Sequence, residues 1–138
     1  VGMFISDREG GVSNGAGASS SILAPKKHLT EHPEVTFPSK ESINVKKFDS
    51  FIKENEIDTS EHNFLNIDVQ GYELEVLKGM GDELNKIQLI IAEVNRDEMY
   101  EGCPMIEDID DYVKQFGFER VTVEWQSESW GDALYVKR

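Results

Sequence analysis

The chain has 138 residues, enough for one domain with its own core and no need of a disulfide or metal staple. Its 14 basic and 27 acidic residues give a formal charge of −13, which leaves no basic stripe for nucleic acid or an anionic membrane surface. A single cysteine, Cys103, excludes an intrachain disulfide and suits a reducing, cytoplasmic setting.

From the start, "VGMFIS" (Val1 to Ser6) reads as a short strand running into the turn signal "DREGG". The chain begins with Val rather than Met, which raises the expectation of a missing N-terminal portion. From Gly10 to Ser21, "GGVSNGAGASSS" is small and polar, the pattern of a loop. "ILAPKKHLTEHPEVTFPSK" carries three of the four prolines, so only short regular pieces are expected. Within it, His28 and His32 have helical spacing. A zinc-protease pattern would need glutamate where Leu29 stands, and Pro33 stops any helix, so both are read as exposed loop histidines without a metal. Residues 1–44 are thus expected to form an irregular or hairpin segment, and 45–138 the α/β core of a single domain.

"INVKKFDSFIKENEI" turns periodic, with Phe48, Phe51 and Ile52 on one helical face. "NFLNIDV" lacks clean alternation, as a strand covered on both faces would. In "YELEVLKGM" a short helix lines up Leu74, Leu77 and Met80 before Gly79 and Gly81 end it. "IQLIIAEV" reads as a second buried strand. "IEDIDDYVKQFG" is a helix with its apolar stripe at Ile106, Ile109, Val113 and Phe116, acids in its first turns and Gly117 at its end. "ERVTVEW" and "ALYVKR" close the chain as a hairpin, with Trp125, Trp130 and Tyr135 packing within it. No apolar run reaches the ~18 residues of a membrane span, and no signal peptide is visible.

Strand, helix, strand, helix, strand, strand is the order of an α/β sandwich, with parallel crossovers first and an antiparallel hairpin last. In open α/β sheets, ligands sit beyond the carboxyl ends of the strands. That rule gives Asp68 and Gln70, ending one strand, and Glu93 and Asn95, ending the next, a common rim. Capping of the following helix is the competing role for Asp68, and pairing with the helix dipole the competing role for Glu73. Cys103 has acids but no histidine near it in "EGCPMIED", so no nucleophilic role is expected.

At "FLNIDVQGYELEVLKGM", "IIAEVN", "YVKQFGFE" and "GDALYVKR" the sequence resembles the FkbM-type family of S-adenosylmethionine-dependent methyltransferases. "FISDREG", "ASSSIL" and "INVKKFDSF" extend the resemblance over nearly the whole chain. It implies a partial Rossmann-like class I methyltransferase sandwich, mostly parallel, with a C-terminal antiparallel hairpin. One departure is Asn66, where this family often has lysine. The larger departure is the absent strand and glycine-rich turn that hold the methionine part of the cofactor. The only candidate is "SNGAGASS", with Gly15, Ala16 and Gly17, but Ser20 stands at the third glycine of a dinucleotide fingerprint. The resemblance therefore implies the C-terminal part of a methyltransferase domain.

Methyl transfer to oxygen needs an aligned acceptor and a group to take its proton. The resemblance implies an oxygen acceptor on a sugar or small metabolite, with Asp68 and Glu93 as catalytic residues. Ser20, Ser21, Asp68 and Gln70 would meet the cofactor, Glu73 and Asn95 the substrate. Turn and cap hydrogen bonds are the competing role for Ser19 to Ser21. Asp68, Glu93 and Asn95 would also offer oxygens to Mg²⁺ if they met at one point. Two other readings stand beside this one: a non-catalytic α/β assembly or binding module, and a Mg²⁺-dependent hydrolase. A half-built sheet exposes an edge and an apolar face, so a homodimer, or dependence on a missing N-terminal half, is expected.

Overall fold

The computed structural model describes residues 1–8 and 17–138. It holds two sheets. Strands β1 (Gly2–Arg8) and β2 (Val35–Ser42) pair antiparallel as a small two-stranded unit. β2 was hidden in the proline-rich stretch. Its Pro38 falls where the register slips between Ile5 and Asp7, so the missing N–H costs no ladder bond. Between these strands lies a four-residue helix, α1 (His28–Glu31).

The second sheet has four strands in the order β3-β4-β6-β5: β3 (Phe64–Ile67), β4 (Leu89–Asn95), β5 (Phe118–Trp125) and β6 (Trp130–Lys137). Only β3 and β4 run parallel, while β4–β6 and β6–β5 are antiparallel. The sheet is therefore mixed rather than mostly parallel, because one crossover alone precedes the closing hairpin. That crossover carries helix α3 (Glu73–Met80) and a 3-10 turn at Gly81–Asn85. Helix α4 (Ile106–Lys114) joins β4 to β5, and helix α2 (Phe48–Glu54) precedes β3.

The core lies between one face of this sheet and α3 and α4. Ile90, Ala92 and Val94 of β4 meet Leu77 of α3 and Ile109 and Val113 of α4, all sealed from water. Each such aliphatic side chain contributes roughly 1.5–3 kcal/mol on full burial. The other face is different. Phe64 is 52% exposed and Leu89 is exposed too, so β3 is not covered on both faces as its sequence suggested. Phe48 and Phe51 are likewise exposed, and Ile52 alone anchors α2.

Register decides what meets at the rim. Ile67 lies opposite Ala92, so Asp68, one step on, falls beside Glu93. Glu93 in turn lies opposite Asp132 of β6. Three neighbouring strands thus each bring a carboxyl to the same end of the sheet.

Candidate functional site

The turn after β3 is built around two left-handed residues, Gln70 at φ 55° and Gly71 at φ 93°. A Cβ on Gly71 would stand 3.1 Å from Cys103 and 3.2 Å from Tyr100, so both conformation and packing demand glycine. Gln70 has no such licence and is held by its bonds. Its side-chain amide nitrogen donates to Asp68 Oδ1 at 2.6 Å and to Glu93 Oε2 at 3.1 Å. Its amide oxygen lies 2.8 Å from the Tyr100 hydroxyl, which shares its proton with the Ser19 carbonyl at 3.0 Å. Its backbone carbonyl accepts the Ser21 hydroxyl at 2.6 Å.

Glu73 supports this turn from below. Fully buried in the first turn of α3, its Oε1 accepts the N–H groups of Val69 at 3.0 Å and Gly71 at 3.1 Å. Burial raises its pKa despite those bonds.

Above the turn lies a cleft of about 560 Å³. Asp68, Gln70, Glu93, Tyr100 and Asp132 line it from the sheet side, and Arg8, Ser19, His28, His32 and Trp130 complete it. Glu93 is only 7% exposed. Burial, followed by the nearby carboxyls of Glu73, Asp68 and Asp132, pushes its pKa up to about 8, so it keeps its proton at neutral pH. Asp68 is exposed at the mouth. Paired carboxyls in unlike surroundings are the arrangement that separates proton donor from proton acceptor.

The remaining candidates fall elsewhere. Asn95 is 1% exposed, does not line the cleft, and neither end of its amide has a partner. Ser20 is buried against Ser6, receiving that residue's N–H at 3.0 Å, and Ser21 props the turn; neither lines the cleft, whereas Ser19 does. Gly15 and Ala16 lie outside the described residues, and Gly17 adopts φ 84°. The three oxygen donors considered for Mg²⁺ do not converge, since Gln70 stands between Asp68 and Glu93 and Asn95 is sealed away. Among the described residues no group of three or more His, Cys, Asp or Glu is placed to hold a metal ion.

Two residues read as bystanders are part of the cleft. His28 is not an exposed loop histidine: α1 buries it, edge-on to Phe37 and tilted against Tyr100, and burial together with His32 lowers its pKa. Its helical spacing to His32 was the available signal. Trp130 leaves the hairpin core to line the cleft, while Tyr135 is buried and donates to Asp110 at 2.9 Å, and Trp125 packs against the core beneath Arg96. Tyr100 carried no signal of its own, because its role comes from a contact 81 residues away at Ser19.

Residues 5–120 match a family model described as "Methyltransferase FkbM domain". The 2-O-methyltransferase NoeI of Sinorhizobium fredii (strain NBRC 101917 / NGR234) is 33% identical over 122 residues, 81% of this chain and 49% of NoeI. The chain spans about half the length of that curated relative. No solved structure matches.

Proposed function

Because this chain belongs to the FkbM methyltransferase family, we propose that its cleft is a site of methyl transfer from S-adenosylmethionine to a hydroxyl oxygen of a sugar or small metabolite. The observation that carries this reading is the Gln70 amide bridging Asp68 and Glu93 at the ends of two parallel strands. In an α/β sheet that end is where ligands are met. The similarity to NoeI, a 2-O-methyltransferase, supports oxygen as the acceptor atom.

The donor set suits one end of the cofactor. A sulfonium is a cation, and the rim offers the carboxyls of Asp68 and Asp132 to it. Two glycines near the rim give no backbone cradle for the rest, since Gly71 faces Tyr100 and Cys103 and Gly131 faces the β5 backbone. We read the methionine and ribose ends as held by elements outside the described residues, in a Rossmann-like sandwich larger than these two sheets.

S-adenosylmethionine supplies a methyl carbon on a positively charged sulfur, ready for in-line displacement. The chain's own residues then divide the remaining work. Asp68, at the mouth, orients the acceptor hydroxyl and takes its proton. Glu93, protonated at neutral pH, donates a hydrogen bond instead of competing for that proton. Gln70 fixes the spacing of both carboxyls, and Glu73 fixes Gln70 by holding the turn. Tyr100 ties this turn to the Ser19 segment.

The missing cradle favours one second reading, a non-catalytic α/β module. Transfer of labelled methyl from S-adenosylmethionine to a panel of hydroxylated acceptors separates the two. Product that disappears in Asp68→Asn supports the enzyme, and absence of product with every acceptor supports the module. In either case we propose that the open outer edge of β3 and the exposed Phe64–Leu89 face are covered in the working protein, by a second copy or by further chain.

A further inference from the structure

Among the described residues, the buried side-chain polar atoms without a hydrogen-bond partner are His28 Nδ1, Glu73 Oε2 and both ends of the Asn95 amide. Glu73 lies under the turn that floors the cleft, and Asn95 stands two residues beyond Glu93 along β4. His28 lines the cleft itself. Buried polar groups are nearly always paired, so an orphan at a cleft wall points to a partner that the chain does not supply.

His28 is 4% exposed, and its ring begins a wall of rings. Its centroid lies 5.0 Å from His32, and His32 lies 6.4 Å from Trp130. Flat, weakly polar faces of this kind pack the C–H face of a saturated ring, while their edges meet its hydroxyls. Elsewhere the lining carries four carboxyls, Glu34, Asp68, Asp132 and the protonated Glu93, among neutral side chains. Arg8 is the one lysine or arginine among the described lining residues, and it already faces Glu34 at 3.7 Å. Residues 9–16 contain no lysine or arginine in sequence. A phosphate or carboxylate entering here would meet like charge without a cation to offset it.

We propose that the His28–His32–Trp130 wall is the acceptor subsite, that it takes an uncharged polyol with no phosphate or carboxylate beside the reacting hydroxyl, and that His28 is its specificity-determining contact. This rests on the methyl-transfer reading and narrows its acceptor class. Hydroxyl groups of such a ligand donate to the Asp68 and Asp132 carboxylates, and the imidazole gains the hydrogen bond it lacks.

The test is nitrogen-15 NMR of the histidine rings and tryptophan indoles in the full chain, titrated with methyl glucoside, glucose 6-phosphate and glucuronate. The expected result is a shift of the His28 and Trp130 signals by the neutral glycoside, with both charged sugars binding at least about tenfold more weakly. His28→Phe keeps a flat ring against Phe37 and Tyr100 and should weaken glycoside binding at least about fivefold, with the remaining amide spectrum unchanged. If that variant fails to fold, Trp130→Ala must give the same loss. Charged sugars binding as well as the neutral one, no shift at His28 up to about 100 mM glycoside, or undiminished binding in the folded variant would each overturn the proposal. This titration needs no methyl donor. A failed subsite therefore shows as missing shifts, whereas a failed methyl-transfer reading shows as missing labelled product.

Discussion

Gln70 donates a hydrogen bond to Glu93 at 3.1 Å, joining the turn after one strand to the end of its parallel neighbour. The bond opposes the upward shift of the Glu93 pKa that burial and three nearby carboxyls impose. Gln70→Gly removes the amide while accepting the left-handed backbone without strain. The Glu93 pKa should then rise further, as followed by carbon-13 NMR of its carboxyl; an unchanged or lower value would contradict the bridge.

Glu93 also makes stability depend on pH in an unusual direction. Its folded pKa of about 8 lies above the ordinary 4.5, so the folded chain holds the proton that the unfolded chain releases. The stabilising contribution is full below about pH 4.5 and is lost as pH rises toward 8. At 1.36 kcal/mol per pH unit the swing is of the order of 5 kcal/mol. Glu93→Gln should therefore melt several degrees above the parent at pH 8.5, with the difference shrinking at pH 5. Equal melting curves at both pH values would refute the assignment.

Glu73 is expected to act on the turn rather than on ligand. Glu73→Ala leaves the Val69 and Gly71 N–H groups unpaired and should cost roughly 2–4 kcal/mol in urea unfolding. Glu73→Gln keeps one acceptor oxygen and should cost clearly less. Equal losses in the two variants would show that the hydrogen bonds carry little.

Gly71→Ala combines a positive φ with a Cβ 3.1 Å from Cys103. A loss of roughly 2 kcal/mol or more is expected by denaturant titration. A loss below about 0.5 kcal/mol would mean that the turn relaxes freely.

The uncovered edge of β3 and the exposed Phe64 and Leu89 predict self-association. Sedimentation velocity should show dimers or larger species at tens of micromolar, reduced by Phe64→Lys. A clean monomer throughout would count against a covered face.

The stretch from Phe64 onward was legible because each element there carries its own period: Leu77 and Met80, Ile109 and Val113, and the apolar run through Ile90. The shared rim of Asp68 and Glu93 was legible too, since parallel neighbours end at one edge, while the register that sets the two side by side was not. What stayed hidden depends on contacts far apart in sequence. β2 is a strand because β1 pairs with it, and Pro38 masks it locally. His28 is buried by Tyr100, 72 residues later, which no local pattern announces. Phe51 has core character in sequence and stays exposed because α2 turns only Ile52 inward.

Chemical-shift mapping of S-adenosylhomocysteine on the nitrogen-15-labelled 138-residue chain addresses the cleft most directly. Weak binding is expected, with shifts concentrated at Ser19, at Asp68 through Gly71 and at Glu93, and lost in Asp68→Asn. No shifts at millimolar ligand, or shifts centred on the opposite ends of the strands at Phe64 and Leu89, would contradict a methyl-transfer site at the ends of β3 and β4.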